Sequence, residues 1–183
     1  MKNFHLKKED ALFLFIDIQD TLIKSSFNKE KVLNNNLKLA KLVQMMELDS
    51  LITLQYPKGL GKMNQEVHEF LKDTKEIEKV SFSAMLNEEF VNTVKNSGKK
   101  QIVISGIETH ICVLLTARDL LDAGYEVFIV SDAVGSRVEE NYKNGLSQLK
   151  DMGCVITNVE TVLFDLNSVA GTPMFKAVQK LII

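Results

Sequence analysis

Leu12-Phe13-Leu14-Phe15-Ile16 places five apolar residues in a row with no polar residue between them. A strand with one solvated face alternates apolar and polar positions, so this run must be covered on both faces, the condition of a central strand in a parallel sheet. The run from Ala11 to Ile16 is followed by others rich in β-branched and aromatic residues: Leu51 to Leu54, Gln101 to Ser105, Glu126 to Ser131 and Cys154 to Thr157, with a weaker one near Glu76 to Val80. Helical patterns separate them. Leu33, Leu37, Ala40, Val43 and Met46 keep a three-to-four spacing, and Phe90, Val91 and Val94 follow Asn87 as a cap. Ser136 with Glu139, and Thr157 with Glu160, have the capping-box spacing, and Thr172-Pro173 predicts the start of a final helix running toward Leu181. Strands alternating with helices predict right-handed crossovers and a three-layer αβα sandwich with a mostly parallel, Rossmann-like sheet. A length of 183 residues with two prolines and no Gly/Ser-rich linker predicts one domain over 1–183.

Composition narrows the partners. The net charge is −2 and no long basic run occurs, which excludes the electrostatic footprint of a nucleic-acid or membrane-surface binder. No apolar stretch approaches the roughly 20 residues of a membrane span. The segment from Met1 to Asp10 is lysine-rich without the apolar core of a signal peptide, so the expected location is cytoplasmic. Cys112 and Cys154 stand without CxxC or metal-finger spacing, which indicates neither a disulfide scaffold nor a structural zinc site. A small-molecule substrate is the partner this leaves.

In sheets of this kind the working site gathers beyond the carboxyl ends of the strands. Asp17 stands directly after the first apolar run, a place equally suited to a capping aspartate. Gln55 to Gly61 forms a turn-rich loop after the second, and Lys79 ends the weak third, where it could aim an ammonium at the same opening. After the fourth comes Gly106-Ile107-Glu108-Thr109-His110-Ile111-Cys112. Gly106 is expected to turn the chain sharply off the strand. Cys112 is then expected in the first turn of a helix, where the positive end of the dipole makes a thiol easier to ionise. The competing reading of Cys112 is a small buried hydrophobe. His110, two residues away, projects elsewhere and is expected to line or rim a pocket, while Cys154 belongs to the core.

Together these segments resemble the isochorismatase-like family of cysteine hydrolases. The resemblance rests on Asp17 with Gln19, Lys79 with Phe82 and Ser83, the stretch from Gly106 through Asp119, Gly124-Tyr125-Glu126-Val127, and Asp132-Ala133. Gln55-Tyr56-Pro57-Lys58-Gly59-Leu60-Gly61 narrows it to the branch holding YcaC-like and isochorismatase-domain-containing proteins. The resemblance implies a cofactor-independent hydrolase of a small amide or related C–N or acyl substrate, with Asp17, Lys79 and Cys112 as catalytic triad. It also implies a cis peptide between Ile107 and Glu108, with the N–H groups of Glu108 and Cys112 facing an oxyanion. Gln19 and Gln55 of those motifs, with Leu22, Tyr56, Phe82, Thr109 and His110 that flank them, are the substrate-pocket candidates, with helix packing the rival role for Leu22 and Phe82.

The nicotinamidases of the superfamily hold a divalent metal with an aspartate and histidines after strand two; this chain has Gln55-Tyr56-Pro57 there, and no metal is expected. Two alternatives stand beside the cysteine hydrolase: vinyl-ether hydrolysis of the isochorismatase type using Asp17 without a covalent step, and a non-catalytic oligomeric relic. A nucleotide-binding dehydrogenase is disfavoured because neither G-x-G-x-x-G nor a P-loop occurs. The family resemblance also implies a homo-oligomer, a dimer, tetramer or octamer. Phe175, Val178, Leu181, Ile182 and Ile183 could serve subunit contacts or close the core of one chain.

Overall fold

The computed structural model describes residues 4–183; Met1 to Asn3, part of the amino terminus expected to lack a leader, lie outside them. The chain runs β1 (Ala11–Ile16), α1 (Asp20–Ser25), α2 (Lys29–Met46), β2 (Ser50–Gln55), α3 (Pro57–Leu60), α4 (Gln65–His68), β3 (Lys75–Lys79), a 3₁₀ turn (Ala84–Leu86) and α5 (Glu88–Ser97). It continues through β4 (Gln101–Ile107), a π-helical turn (Thr109–Val113), α6 (Leu114–Asp122), β5 (Glu126–Gly135), α7 (Glu139–Met152), β6 (Val155–Thr157), α8 (Val159–Asp165) and α9 (Pro173–Gln179). The six strands form one sheet in the order β3-β2-β1-β4-β5-β6, every pairing parallel. The order reverses between β1 and β4, and a crevice opens at such a reversal beyond the carboxyl ends of the strands.

Both faces of β1 are covered, as its unbroken apolar run requires. Phe13 and Phe15 pack with Leu39 and Leu42 of α2 and with Val162 and Leu163 of α8 on one side. Leu12, Leu14 and Ile16 pack with Phe90 and Val94 of α5, Ala117 and Leu120 of α6 and Leu149 of α7 on the other. The three-layer α/β architecture read from the sequence is therefore present. β3 is an edge strand whose Lys75, Glu76 and Glu78 are exposed, a charged border that discourages edge-to-edge pairing. At the carboxyl terminus Val178 is buried and Leu181 and Ile182 pack on the first cluster, so this run closes the core, leaving Ile183 at 92% exposure.

Asn87 and Thr172 cap their helices as expected, accepting the N–H of Phe90 and Phe175. The final helix stops at Gln179, short of Leu181. The other two capping boxes do not form. α8 is capped by Asn158, which accepts from the Thr161 N–H, and Thr157 is the last residue of β6. α7 starts after Val138 without a side-chain cap, because the Ser136 hydroxyl is taken by the His110 ring at 3.0 Å.

Gly106 makes no turn; it lies inside β4, which runs on to Ile107. Its φ of 127° and its closeness to β1 explain the residue: a Cβ there would stand 2.0 Å from the Ile16 carbonyl oxygen. Gly106→Ala should destabilise the fold by more than about 4 kcal/mol, since backbone rather than a flexible side chain must move. Gly98→Ala, at φ 69° with open space around it, should cost only about 1–2 kcal/mol. Urea unfolding of both variants checks the contrast; similar losses would show that the approach of β1 to β4 is not what demands glycine.

Candidate active site

The site is built at the ends of neighbouring strands. Asp17 follows β1 with φ 53°, a left-handed conformation that a non-glycine residue adopts only when its surroundings hold it. Here its N–H donates to the Thr53 carbonyl at 3.1 Å and its own carbonyl accepts the Gln19 N–H at 2.8 Å. Its side chain is completely buried: Thr53 Oγ1 donates to Oδ1 and Lys79 Nζ donates to Oδ2, each at 2.7 Å. Lys79, at the end of β3 and 2% exposed, donates also to Gln55 Oε1 at 2.6 Å and lies 3.4 Å from the Ser81 and Phe82 carbonyls. Either ion alone in this interior would lose several kcal/mol of hydration, about what leaving one of them unpaired costs.

Cys112 comes from the segment after β4. The chain winds there as a π-helical turn: the Glu108 carbonyl accepts the N–H of Ile111 at 3.0 Å and of Val113 at 3.2 Å before α6 begins at Leu114. Such widened turns recur at functional sites. The thiol is buried and faces Gln55 Oε1 across 4.0 Å, so one amide oxygen borders both the ammonium and the sulfur. The amide is oriented by its own Nε2, which donates to the Val80 carbonyl at 2.9 Å. Contrary to the expectation of an easily ionised thiol, burial pushes Cys112 up to about 12. The charge of Asp17 and its hydrogen bond raise it further, while the charge and hydrogen bond of Lys79 lower it. The sulfur sits in a π turn rather than the first turn of an α-helix, and desolvation outweighs the ammonium of Lys79.

Of the pocket candidates, Gln55 meets Lys79 and Cys112 through its side chain, and Phe82 meets Lys79 through its backbone carbonyl. Gln19 is a buried brace whose Nε2 donates to the Gln55 and Gly61 carbonyls and whose Oε1 accepts the Gln55 N–H. Leu22 packs on the core, and Thr109 is buried with Oγ1 donating to the Gly135 carbonyl. The His110 ring meets Ser136 Oγ at 3.0 Å. Tyr56 and Phe82 are 53% and 57% exposed; Tyr56 borders a cleft of about 420 Å³ that reaches Lys79 between Val80, Ser81 and Leu86. The Ile107–Glu108 peptide is cis, and the Glu108 carboxylate accepts from Arg137. Thr53 was not singled out in the sequence; its signal is the pairing of β1 with β2, which sets it opposite Ile16, one residue before Asp17. Among the described residues no group of three His, Cys, Asp or Glu side chains converges on one point.

Comparison with known proteins decides the family. Residues 11–161 match the family model of the isochorismatase domain. The chain belongs to the isochorismatase family. Isochorismatase domain-containing protein 2 of Danio rerio is 34% identical over 178 residues, covering 97% of this chain and 89% of that protein. The Escherichia coli YcaC gene product, described as an octameric hydrolase of unknown specificity, superposes with a TM-score of 0.94 at 26% identity, over 100% of this chain and 93% of that one. YcaC from Pseudomonas aeruginosa, solved with hexane-2,5-diol and covalent acrylamide, gives 0.92 at 28% identity, over 99% and 93%. This isochorismatase-family chain is thus of the hydrolase class.

Two measurements follow from the geometry. Because the thiol is held up to about 12, the rate of Cys112 alkylation by iodoacetamide should rise about tenfold per pH unit between pH 7 and 10 without levelling. A plateau below pH 9, followed by peptide mass, would mean a standing thiolate instead. Lys79→Met should cost about 3–5 kcal/mol by leaving Asp17 buried and unpaired, and adding Asp17→Asn should recover most of it. Equal stabilities of the single and double variants in denaturant would show the pair to be uncoupled.

Proposed function

We propose that this chain, as one hydrolase domain over 1–183, is a cofactor-independent cysteine hydrolase of a small amide or related C–N or acyl substrate. Asp17, Lys79 and Cys112 are its triad. The observation that carries the reading is the buried cluster itself: Lys79 Nζ lies 2.7 Å from Asp17 Oδ2 and 2.6 Å from Gln55 Oε1, and the same amide oxygen faces the Cys112 sulfur across 4.0 Å. Covalent acrylamide in the Pseudomonas aeruginosa relative and the hydrolase class of the family support it.

In the resting site the thiol keeps its proton. As Sγ attacks the carbonyl carbon, the proton passes to the Asp17 carboxylate and the carbonyl oxygen becomes an oxyanion facing the N–H groups of Glu108 and Cys112. Lys79 holds negative charge near the sulfur while it develops, and Asp17 stays within reach of the ammonium that steadies it. Collapse breaks the C–N bond, and Asp17 returns the proton to the departing nitrogen, leaving a thioester. Water then attacks the thioester with Asp17 taking its proton, the acid departs, and Asp17 returns that proton to the sulfur. No step calls for a metal or an organic cofactor. A cleft of about 420 Å³ whose lining includes Tyr56, Lys79, Ser81 and Leu86, but neither Asp17 nor Cys112, is of the size that holds a small molecule.

The reading includes assembly into a homo-oligomer, as described for the octameric Escherichia coli relative. It also places the reaction in the cytoplasm, where two cysteines without disulfide spacing would stay reduced.

A screen of small amides and activated esters, with intact-mass detection of an acyl adduct on Cys112, tests it. Cys112→Ser and Asp17→Asn should each lower turnover by about a thousandfold or more. Full activity in Cys112→Ser with loss in Asp17→Asn would favour vinyl-ether cleavage by the acid alone. An inert native protein across acyl and vinyl-ether substrates would favour the relic.

A further inference from the structure

Three consecutive residues ahead of the nucleophile are tied, side chain by side chain, to three consecutive residues at the end of β5. The Glu108 carboxylate accepts the Arg137 backbone N–H at 2.9 Å and Arg137 Nε at 3.2 Å on each oxygen. Thr109 Oγ1 donates to the Gly135 carbonyl at 3.0 Å, and the His110 ring meets Ser136 Oγ at 3.0 Å. The β5 side of this brace is itself held. The Phe27 N–H donates to the Ser136 carbonyl at 3.0 Å, the Ser26 hydroxyl lies between that carbonyl at 3.0 Å and Asn28 Oδ1 at 2.8 Å, and Asn28 Nδ2 donates to the Val134 carbonyl at 3.2 Å. A Cβ on Gly135 would stand 2.6 Å from Ser26 Oγ, and one on Gly145 of α7 would stand 3.1 Å from the His110 backbone, so both positions are tightly packed against the brace.

We propose that the Glu108 side chain is a positioning residue, holding its own backbone N–H at the oxyanion through its bonds to Arg137. The inference rests on the cysteine-hydrolase reading above. Two facts separate it from a role in stability. The Arg137 side chain is 60% exposed, so its ion pair with Glu108 adds little to folding. The carboxylate is 10% exposed and its shortest bond goes to a backbone N–H, which ties it to the β5 end whatever side chain stands at 137. The brace fixes where the peptide ahead of Cys112 points, and an oxyanion donor must be aimed before charge develops.

The test uses two reagents that attack the same sulfur by different routes. With p-nitrophenyl acetate, the S–C bond forms and the C–O bond breaks through an oxyanion, the thiol proton leaves the sulfur and p-nitrophenolate departs. With iodoacetamide, sulfur displaces iodide at a methylene carbon and no oxyanion arises. In Glu108→Ala, acetylation of Cys112 should slow by about tenfold or more while alkylation stays within about twofold of native. Glu108→Gln, which keeps an acceptor oxygen for the Arg137 N–H, should return acetylation to within about threefold of native. Loss of both reactions together, or of neither, or a Gln variant no better than Ala, overturns the positioning role. A native protein that is alkylated at Cys112 but never acetylated sinks the nucleophile reading, and this inference with it.

Discussion

The ion pair between Lys79 and Asp17 is the interaction on which the site depends, because neither group could sit where it does without the other. Both side chains are within 2% of complete burial, and the charges meet at 2.7 Å. An isolated lysine or aspartate at that depth would neutralise or draw in water. Burial is the main reason the neighbouring sulfur of Cys112 stays a thiol, and the charge of Asp17, which raises it, outweighs that of Lys79, which lowers it.

Everything around the pair serves to keep two ends of chain, far apart in sequence, in register. Asp17 is held in an unfavourable backbone conformation by Thr53 on the next strand, and Gln19 stitches the same turn to Gln55 and Gly61. Gln55 then joins the two halves, its oxygen bordering Lys79 and Cys112 and its nitrogen fixed on Val80. A parallel sheet makes this economical: adjacent strands deliver their carboxyl ends to one edge, and the reversal of strand order between β1 and β4 opens the gap the reactive groups share.

The architecture was legible because it depends on the apolar pattern. The uninterrupted run of β1 and the three-to-four spacing of α2 survive any detail of side-chain bonding, and the observed elements fall where those patterns lie. What could not be read was anything decided by a partner distant in sequence. Ser136 and Thr157 have cap spacing, yet one hydroxyl is claimed by His110 and the other residue is absorbed into β6. Gly106 is demanded by contact with β1 and not by a turn, a reason visible only once Ile16 stands beside it. Among the site residues Asp17, Lys79 and Cys112 were reachable through motif resemblance, and their meeting is a matter of topology. Gln19 belongs to the same motif as Asp17 and Thr109 lies close to Cys112 in sequence, yet both are braces.

The thiol is the case where the local rule pointed the wrong way. A cysteine just ahead of a helix, with a lysine assigned to its side, reads as an activated thiolate. That reading counts the attractions and omits the solvent removed to create them. At this depth desolvation is the largest influence on Cys112, and Asp17, brought in to balance Lys79, adds to it. Under the cysteine-hydrolase mechanism proposed above, a site so arranged holds Cys112 in reserve. The proton then leaves the sulfur as a new bond to carbon forms, with the Asp17 carboxylate acting during attack and not before it. Such an arrangement favours reaction with a bound, correctly placed carbonyl over indiscriminate reaction with electrophiles in solution. It makes positioning of the acceptor oxygen, more than ionisation of the sulfur, the step that the surrounding hydrogen bonds have to secure.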